Sequence, residues 1–209
     1  MSEAKSIGPR PYHHGDLTRA LVDAARKLLE AEGPSALSLR AVARAAGVSP
    51  AAPYHHFKDK AELLDAVADQ GWQILGAQMA AAKAATTGQQ QLTALGIAYV
   101  CFARDNPALY RVMYDAARDK DALPLEVQDS KDNAYCMVRD TMIENGADPA
   151  QDTHLELAGV AAWCGAHGLA EMASFKQFDH LKEELGGERP FFEAVLSHMG
   201  LFPKPHHDC

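Results

Sequence analysis

Apolar residues recur along the chain every three or four positions, which is the spacing of one face of an α-helix. The first such segment runs from Leu17 to Ala31 and ends before Gly33-Pro34. No stretch keeps up the alternation of apolar and polar residues typical of a half-buried strand for more than a few positions. The pattern predicts an all-α protein of about nine helices.

Three segments near the N-terminus predict two short helices followed by a long one. The first, SLRAVARAA, begins at Ser38 and is stopped by Gly47, and the next begins at Ser49-Pro50, a typical N-cap and first position. Residues 59–62, DKAE, have the spacing of a capping box and open the long helix. Residues 38–57 therefore fit a helix-turn-helix motif, although two alanine-rich helices around a glycine turn also occur as ordinary packing.

Two apolar stripes near the C-terminus are candidates for a dimer interface. The first consists of small residues that allow close helix approach, namely Gly159, Ala162, Ala166 and Ala173. The second consists of larger apolar residues on one face of the last helix, namely Phe192, Val195, Met199 and Phe202. Two such helices doubled across a twofold axis make a four-helix interface, with the small stripe against its mate or the last helix. The alternative is that both stripes are core within one chain.

The charge of the chain is distributed unevenly. The net charge is −8, but residues 1–60 contain nine Lys or Arg and six Asp or Glu, so this part carries +3 and the remainder −11. This asymmetry indicates an anion-binding head on an acidic body. The first residues have no apolar signal-peptide core, and no apolar run approaches a membrane span, so we expect a cytoplasmic protein without a membrane partner.

The cysteines and histidines suggest weaker alternatives. Cys101, Cys136, Cys164 and Cys209 are scattered without a CxxC pair, so a disulfide framework or a zinc site is disfavoured, although a redox sensor stays open. Cys164 with His167 could bind a metal but lacks a third ligand nearby. The tail His206-His207-Asp208-Cys209 could bind one too, although we expect it to be a frayed terminus instead. An enzyme using His167, Glu171 and Cys164 is a remoter alternative, because these residues form no evident nucleophile, base and orienter. We predict no metal, cofactor or catalytic residue.

The segment LSLRAVARAAGVSPAAPYHHFKDKAELLDAV resembles the DNA-binding head of the TetR family of transcriptional regulators. The matching positions are Ser38, Ala43, Gly47, Val48, Tyr54, His55, His56, Phe57 and Lys60. The resemblance implies a DNA-binding domain over residues 15–75 and a ligand-binding and dimerisation domain over residues 76–209. Pro53 stands where the family usually has Leu, and we expect it to tighten or shift the start of the recognition helix, because proline has no backbone donor.

The resemblance also implies which residues contact DNA, with His56 and Phe57 packing or capping instead. The predicted contacts are Ser38, Leu39, Arg40, Ser49, Pro50, Ala51, Ala52, Tyr54, His55 and Lys60. Small side chains at Ala51 and Ala52 would let the backbone approach thymine methyls in the major groove, and Lys60 would meet a phosphate. The expected partner is double-stranded DNA carrying a palindromic operator, read by a homodimer.

The segment AAWCGAHGLAEM resembles the Trp-x-x-x-His-Gly signature of a C-terminal class called the WHG domain, filled by Trp163, His167 and Gly168. By this resemblance a small-molecule effector would bind between helices, with a pocket lined by Trp72, Phe102, Tyr110, Met113, Met137, Trp163 and His167. Each of these residues could instead be ordinary core. The predicted function is a ligand-responsive repressor that a small molecule releases from its operator, with a metal- or redox-responsive regulator of the same fold as the alternative.

Overall fold

A computed structural model describes residues 14–119 and 133–200, and the regular structure of these ranges is helical. Nine α-helices lie in the described residues: α1 (His14–Glu32), α2 (Leu39–Ala45), α3 (Lys60–Ala84), α4 (Gln90–Asp105), α5 (Pro107–Asp119), α6 (Ala134–Glu144), α7 (Asp152–Met172), α8 (Asp179–Glu184) and α9 (Glu188–His198). Short 3-10 helices cover Pro34–Ala36, Ala52–His55 and Lys176–Phe178. The predicted all-α fold is confirmed. No helix in the described ranges is long and apolar enough to cross a membrane.

The chain divides into two compact units, Met1–Val67 and Ala68–Cys209. The first unit contains α1, α2, two of the 3-10 helices and the first two turns of α3. Its apolar core is formed by side chains of α1, α2 and α3 and by two residues that follow the 3-10 helices, Leu37 and Phe57. The core residues of the three α-helices are Leu21, Val22, Ala25, Leu29, Leu39, Val42, Ala43, Leu63 and Val67.

Helix α2 has the N-terminus and the C-terminus that its sequence predicts. Ser38 has extended backbone angles, and its Oγ accepts a hydrogen bond from the Ala41 amide at 3.1 Å, which is an N-cap. At the other end Gly47 adopts φ 70°, a conformation that costs other residues more than glycine. The Val48 amide then reaches back to the Ala43 carbonyl at 3.0 Å, which completes a Schellman motif.

The α-helix predicted to begin at Ser49-Pro50 is wrong, because this segment forms only the 3-10 helix Ala52–His55. The Tyr54 amide donates to the Ala51 carbonyl at 3.2 Å, and the His56 amide donates to the Pro53 carbonyl at 3.0 Å. Pro53 has no amide hydrogen with which to bond the carbonyl four residues earlier, so an α-helical turn cannot be completed through it. The expected tightening at Pro53 therefore extends over the whole segment.

The predicted capping box at the start of α3 is confirmed with one difference. Asp59 Oδ1 accepts from the Glu62 amide at 3.0 Å, as an N-cap side chain should. Glu62 Oε2 reaches back to the amide of Lys58 at 2.6 Å, one residue before the cap. The two carboxylates therefore satisfy backbone donors on both sides of the turn that separates the 3-10 helix from α3.

The second unit is organised around α4. Ten of the sixteen residues of α4 are buried, because the helix packs against α5, α6, α7 and α9. Helix α7 packs on both α4 and α6, and α9 packs on α4, α7 and α8. Such a central helix has apolar residues on every side, as the run LTALGIAYVCFA shows.

The small-residue stripe of α7 packs inside the chain, so its predicted place against a second copy is wrong. A Cβ on Gly159 would lie 3.1 Å from the hydroxyl of Tyr135, a residue of α6. Ala162 and Ala166 are 3% and 5% exposed and border a gap of only about 10 Å³ that Tyr99 of α4 also borders. Phe192 of the second stripe is fully buried, while Phe202 lies outside the described residues.

Candidate functional site

The predicted DNA contacts form a largely exposed surface of the first unit. The exposed members are Ser38, Arg40, Ser49, Pro50, Ala51, Tyr54, His55 and Lys60, and Ala52 is half-buried. Tyr54 is 54% exposed, so its ring and hydroxyl are accessible to a partner. Leu39 differs from the others, because its side chain is only 6% exposed and belongs to the core.

Contacts with the core of the first unit hold the 3-10 helix Ala52–His55 in place. Pro53 is buried, and Phe57 is 4% exposed. Nδ1 of His56 lies 2.9 Å from Oγ1 of Thr18, which ties the end of this turn to α1. These contacts leave Tyr54 and His55 exposed on a supported turn, and they agree with the expectation that His56 and Phe57 pack.

Lys60 has a structural contact that its sequence position does not reveal. Its Nζ donates a hydrogen bond to the carbonyl oxygen of Pro34 at 2.9 Å and so joins the start of α3 to the 3-10 helix after α1. The side chain is nevertheless exposed. An ammonium group has three donors, so this bond leaves capacity for an anion from solution.

A hydrogen-bonded cluster of aromatic side chains occupies the second unit. Tyr99 OH lies 3.2 Å from Tyr110 OH and 3.0 Å from His167 Nδ1, and it also bonds to Tyr114 OH. Tyr110 OH lies 2.6 Å from the same His167 nitrogen. Trp163 Nε1 donates to Tyr114 OH at 3.1 Å. Helices α4, α5 and α7 thus meet through polar atoms within an otherwise apolar core.

The tyrosines of this cluster are held in their neutral form. Burial raises the pKa of Tyr99 and of Tyr110, and burial raises the pKa of Tyr114 to about 12. An un-ionised phenol is both a donor and an acceptor, whereas a phenolate only accepts. The cluster can therefore exchange hydrogen-bond partners without creating a buried charge.

A cavity of about 670 Å³ borders this cluster. Tyr110, Tyr114 and His167 contribute its aromatic and hydrogen-bonding wall, with Ala103, Pro107, Ala170, Ala173 and Ser174 beside them. Charged side chains line the rest, namely Arg104, Arg111, Asp115, Glu171, Lys182 and Glu188. Small-molecule sites are mostly apolar with a few convergent polar groups. This cavity combines such an apolar and aromatic wall with a more highly charged one.

Three of the charged residues at this cavity form a connected ion-pair group. Arg104 Nη1 lies 3.0 Å from Glu188 Oε2, and Lys182 Nζ lies 3.6 Å from Glu188 Oε1. Arg104 also forms a two-bond pair with the neighbouring Asp105, at 2.7 and 3.1 Å. The pKa of Arg104 is raised, first by its hydrogen bond to Asp105 and also by that to Glu188, so the guanidinium stays charged.

The predicted ligand residues occupy different environments. Tyr110 and His167 line the large cavity, and Trp163 borders the small gap and bonds to the Tyr114 hydroxyl. The other predicted residues are buried, namely Trp72, Phe102, Met113 and Met137. Trp72 touches the cluster edge-on, with its ring centroid 5.5 Å from that of Tyr114. Tyr114 is not among the predicted ligand residues, although its spacing of four from Tyr110 places both on one face of α5.

An apolar groove of about 370 Å³ lies between α7, α8 and α9. Its lining includes the predicted Val195 and Met199 together with Cys164, Gly165, Gly168, Leu169, Met172, Phe178, Leu181 and Phe191. Met172 and Leu181 are among the exposed large hydrophobic side chains. Within the described ranges no group of three or more His, Cys, Asp or Glu could hold a metal, and the tail residues 206–209 lie outside those ranges.

Two family profiles match the chain. The profile described as bacterial regulatory proteins of the tetR family matches residues 21–67, and the profile described as the tetracyclin repressor-like C-terminal domain matches residues 92–199. The chain belongs to the TetR family. The TetR family is one of DNA-binding transcriptional regulators and not of enzymes.

Relatives agree with this assignment at moderate identity. The regulator is 30% identical over 128 residues to YobS, an uncharacterized HTH-type transcriptional regulator of Bacillus subtilis, covering 61% of this chain and 64% of that protein. It is 40% identical over 81 residues to the HTH-type transcriptional regulator BetI of Rhizobium meliloti, covering 37% and 38% of the two chains. The matched region thus spans less than two thirds of either relative.

Solved structures share the fold over nearly the whole chain. A protein of unknown function from Rhodococcus sp. RHA1 is 28% identical with a TM-score of 0.68, covering 92% of this chain and 97% of that one. A TetR-family transcriptional regulator from Haemophilus influenzae is 20% identical with a TM-score of 0.59, covering 88% and 94%. The helical head and body of this regulator therefore recur together in other proteins.

Proposed function

We propose that this TetR-family regulator is a homodimeric repressor that binds a palindromic operator and is released by a small molecule. The observation that carries the proposal is the cavity of about 670 Å³ beside the buried tyrosine and histidine cluster. A cavity with an aromatic and hydrogen-bonding wall can hold a small organic molecule, which supports a regulator that responds to a ligand.

The proposed DNA contacts are the exposed residues around the 3-10 helix Ala52–His55 and the start of α3. We assign base contacts to Ala51, Ala52 and His55, and phosphate contacts to the side chains of Ser38, Arg40, Ser49, Tyr54 and Lys60, with Pro50 shaping the turn. We leave Leu39 out, because a buried side chain has no surface to offer to DNA. The short turn would enter the major groove with small side chains foremost.

The proposed dimer interface is the apolar groove between α7, α8 and α9. One head of this size reads only a few base pairs, so palindrome recognition requires two heads one helical turn of DNA apart, about 34 Å. A groove in which Met172 is exposed and Val195 is half-buried would bury both against the same surface of a second copy. Effector binding would then change the spacing of the two heads, which couples the two sites.

The WHG signature fits this proposal through its position on α7. Trp163 and His167 both bond to the tyrosine cluster, whereas Gly168 borders the groove. We propose that the signature joins effector site and dimer surface along one helix, and that the C-terminal unit belongs to the WHG class.

Operator selection from random DNA, followed by gel shift and sedimentation, tests this function. We expect a twofold-symmetric sequence bound by a dimer. A tight complex of one protomer with a single half-site would contradict the proposal.

The interface is tested separately by Val195→Glu, which should give monomers that bind the operator weakly. Leu157→Glu is the matched control, because Leu157 is 64% exposed on α7 and does not line the groove. If Val195→Glu remained dimeric, the interface would lie elsewhere.

A further inference from the structure

We propose that the effector is a small carboxylic acid with an aromatic or other apolar body, and that its carboxylate displaces Glu188 from Arg104 and Lys182. This inference rests on the proposed ligand site and specifies its chemistry. It starts from the observation that two cations of the cavity are bridged by a carboxylate of the protein itself.

The geometry of the ion pairs that Glu188 makes with Arg104 and Lys182 defines a binding position for a carboxylate. The two oxygens of Glu188 face different cations, Oε2 at 3.0 Å from Arg104 Nη1 and Oε1 at 3.6 Å from Lys182 Nζ. The guanidinium and the ammonium therefore stand on either side of a single carboxylate. A ligand carboxylate of the same size would meet both cations in the same way.

Displacement leaves neither cation without a partner. Arg104 keeps its two bonds to Asp105, and Lys182 keeps Asp179 at 3.2 Å. The bridge itself is partly exposed, with the Arg104 and Glu188 side chains 39% and 42% accessible, and exposed ion pairs contribute little to stability. Glu188 is also the first residue of α9, where the helix dipole favours a negative charge even without the bridge.

The neighbouring wall specifies the body of the ligand. Tyr110 and Tyr114 present aromatic rings, and their neutral hydroxyls with His167 can donate or accept one hydrogen bond each. A flat apolar or aromatic body beside the carboxylate fits this wall better than a highly charged one. Glu188 is the first residue of α9, and α9 lines the proposed dimer groove. Replacement of its carboxylate by that of the ligand would therefore act directly on a helix of that groove.

Benzoate and its uncharged analogue benzamide are the probes, titrated into the full-length protein without DNA. Tryptophan fluorescence reports binding, because both tryptophans, Trp72 and Trp163, contact Tyr114 of the cavity wall. We expect benzoate to bind more tightly than benzamide. Arg104→Gln should weaken benzoate binding by about tenfold and leave benzamide unchanged, as expected for a lost charge-assisted contact.

The distinctive variant is Glu188→Gln, which removes the internal competitor. We expect it to bind benzoate about tenfold more tightly than the native protein, with benzamide unchanged. Glu193→Gln, on the same helix and outside the cavity lining, is the control for the change in net charge. Circular dichroism of each variant establishes that it is folded.

Equal affinity of benzoate and benzamide in the native and Glu188→Gln proteins would overturn the inference, as would no benzoate binding to any folded variant. Such a result in a protein that still binds its palindrome and is released by another compound leaves the proposed function standing. A protein that binds benzoate as expected but has no palindromic operator would instead contradict the proposed function.

Discussion

The hydroxyl of Tyr110 and Nδ1 of His167 lie 2.6 Å apart, which joins α5 to α7 through one polar contact in an apolar surrounding. Tyr99 approaches the same nitrogen at 3.0 Å, so the histidine keeps a partner when Tyr110 is removed. Tyr99 is harder to replace, because its hydroxyl bonds to three groups at once.

Tyr110→Phe should therefore lower the free energy of unfolding by only about 1 kcal/mol, because both groups that its hydroxyl bonds, Tyr99 and His167, keep another partner. Tyr99→Phe should cost about 1–3 kcal/mol, because it leaves several buried groups short of a partner. Urea unfolding measures both. Tyr54→Phe is the control on an exposed side chain and should change stability by less than about 0.5 kcal/mol. Equal costs at Tyr99 and Tyr54 would contradict the importance of the cluster.

Alkaline pH should destabilise the second unit. The pKa of Tyr99, Tyr110 and Tyr114 is raised in the fold, so these phenols keep protons that the unfolded chain releases above about pH 10. Their stabilising contribution is complete below that pH and is lost as the pH rises further, by about 1.4 kcal/mol per pH unit for each such tyrosine.

Urea unfolding at about pH 8 to about pH 11 measures this dependence, with ultraviolet absorbance reporting tyrosinate formation. We expect tyrosinate from these three residues to appear only together with unfolding. Tyr99→Phe should reduce the steepness of the loss. Full tyrosine ionisation in a protein that is still folded would contradict the prediction.

Lys60→Ala should weaken binding to operator and non-operator DNA alike. Loss of one phosphate contact lowers the salt dependence of log K by about 0.9. The variant also loses the bond to the Pro34 carbonyl, so thermal unfolding must be measured beside the gel shifts. Changing Ala51 or His55 should instead alter sequence preference.

Lys176→Ala, in the second unit, is the matched loss of charge and should leave DNA binding unchanged. A Lys60→Ala protein that changed base preference without changing the salt dependence would show that the assigned roles are wrong.

Two glycines of α7 should respond differently to alanine. A Cβ on Gly168 meets nothing within 4 Å in its own chain, so in the monomeric Val195→Glu background Gly168→Ala should stabilise the fold by up to about 1 kcal/mol through helix propensity. A Cβ on Gly159 would lie 3.1 Å from the Tyr135 hydroxyl and 3.4 Å from its ring carbon. Gly159→Ala should therefore be less stable than Gly168→Ala by about 1–3 kcal/mol in urea unfolding. Equal stabilities would contradict the packing of α7 on α6.

Local signals account for the parts of the fold that the sequence predicted well. Ser38 and Gly47 delimit α2 through their own backbone and side-chain chemistry, and Asp59 opens α3 in the same way. The sequence predicts that Pro53 disturbs the start of a helix. Its effect on the whole turn also depends on the hydrogen bonds that the amides of its two neighbours, Ala52 and Tyr54, donate. Helical spacing alone did not predict that this segment would be a 3-10 helix.

Contacts between residues distant in sequence determine features that the hydrophobic pattern could not predict. Ala162 and Ala166 have the same periodicity whether they face α4 or a second copy, and only the packed chain distinguishes these environments. Glu188 and Arg104 are separated by more than eighty residues, so no motif relates them. The cavity was therefore predicted only in its aromatic part, through Tyr110 and His167.

The alanines of the turn that precedes α3 have a consequence for DNA that carries methylated bases. Residues 49–57 carry no lysine, arginine or acidic side chain, and Ala51 and Ala52 offer only methyl groups. On the proposed contacts these methyls recognise thymine by its C5 methyl group. Methylated cytosine carries the same group at the same carbon. We therefore expect a cytosine facing this turn to become acceptable once a host methyltransferase has modified it, so that the epigenetic state of the genome contributes to operator choice.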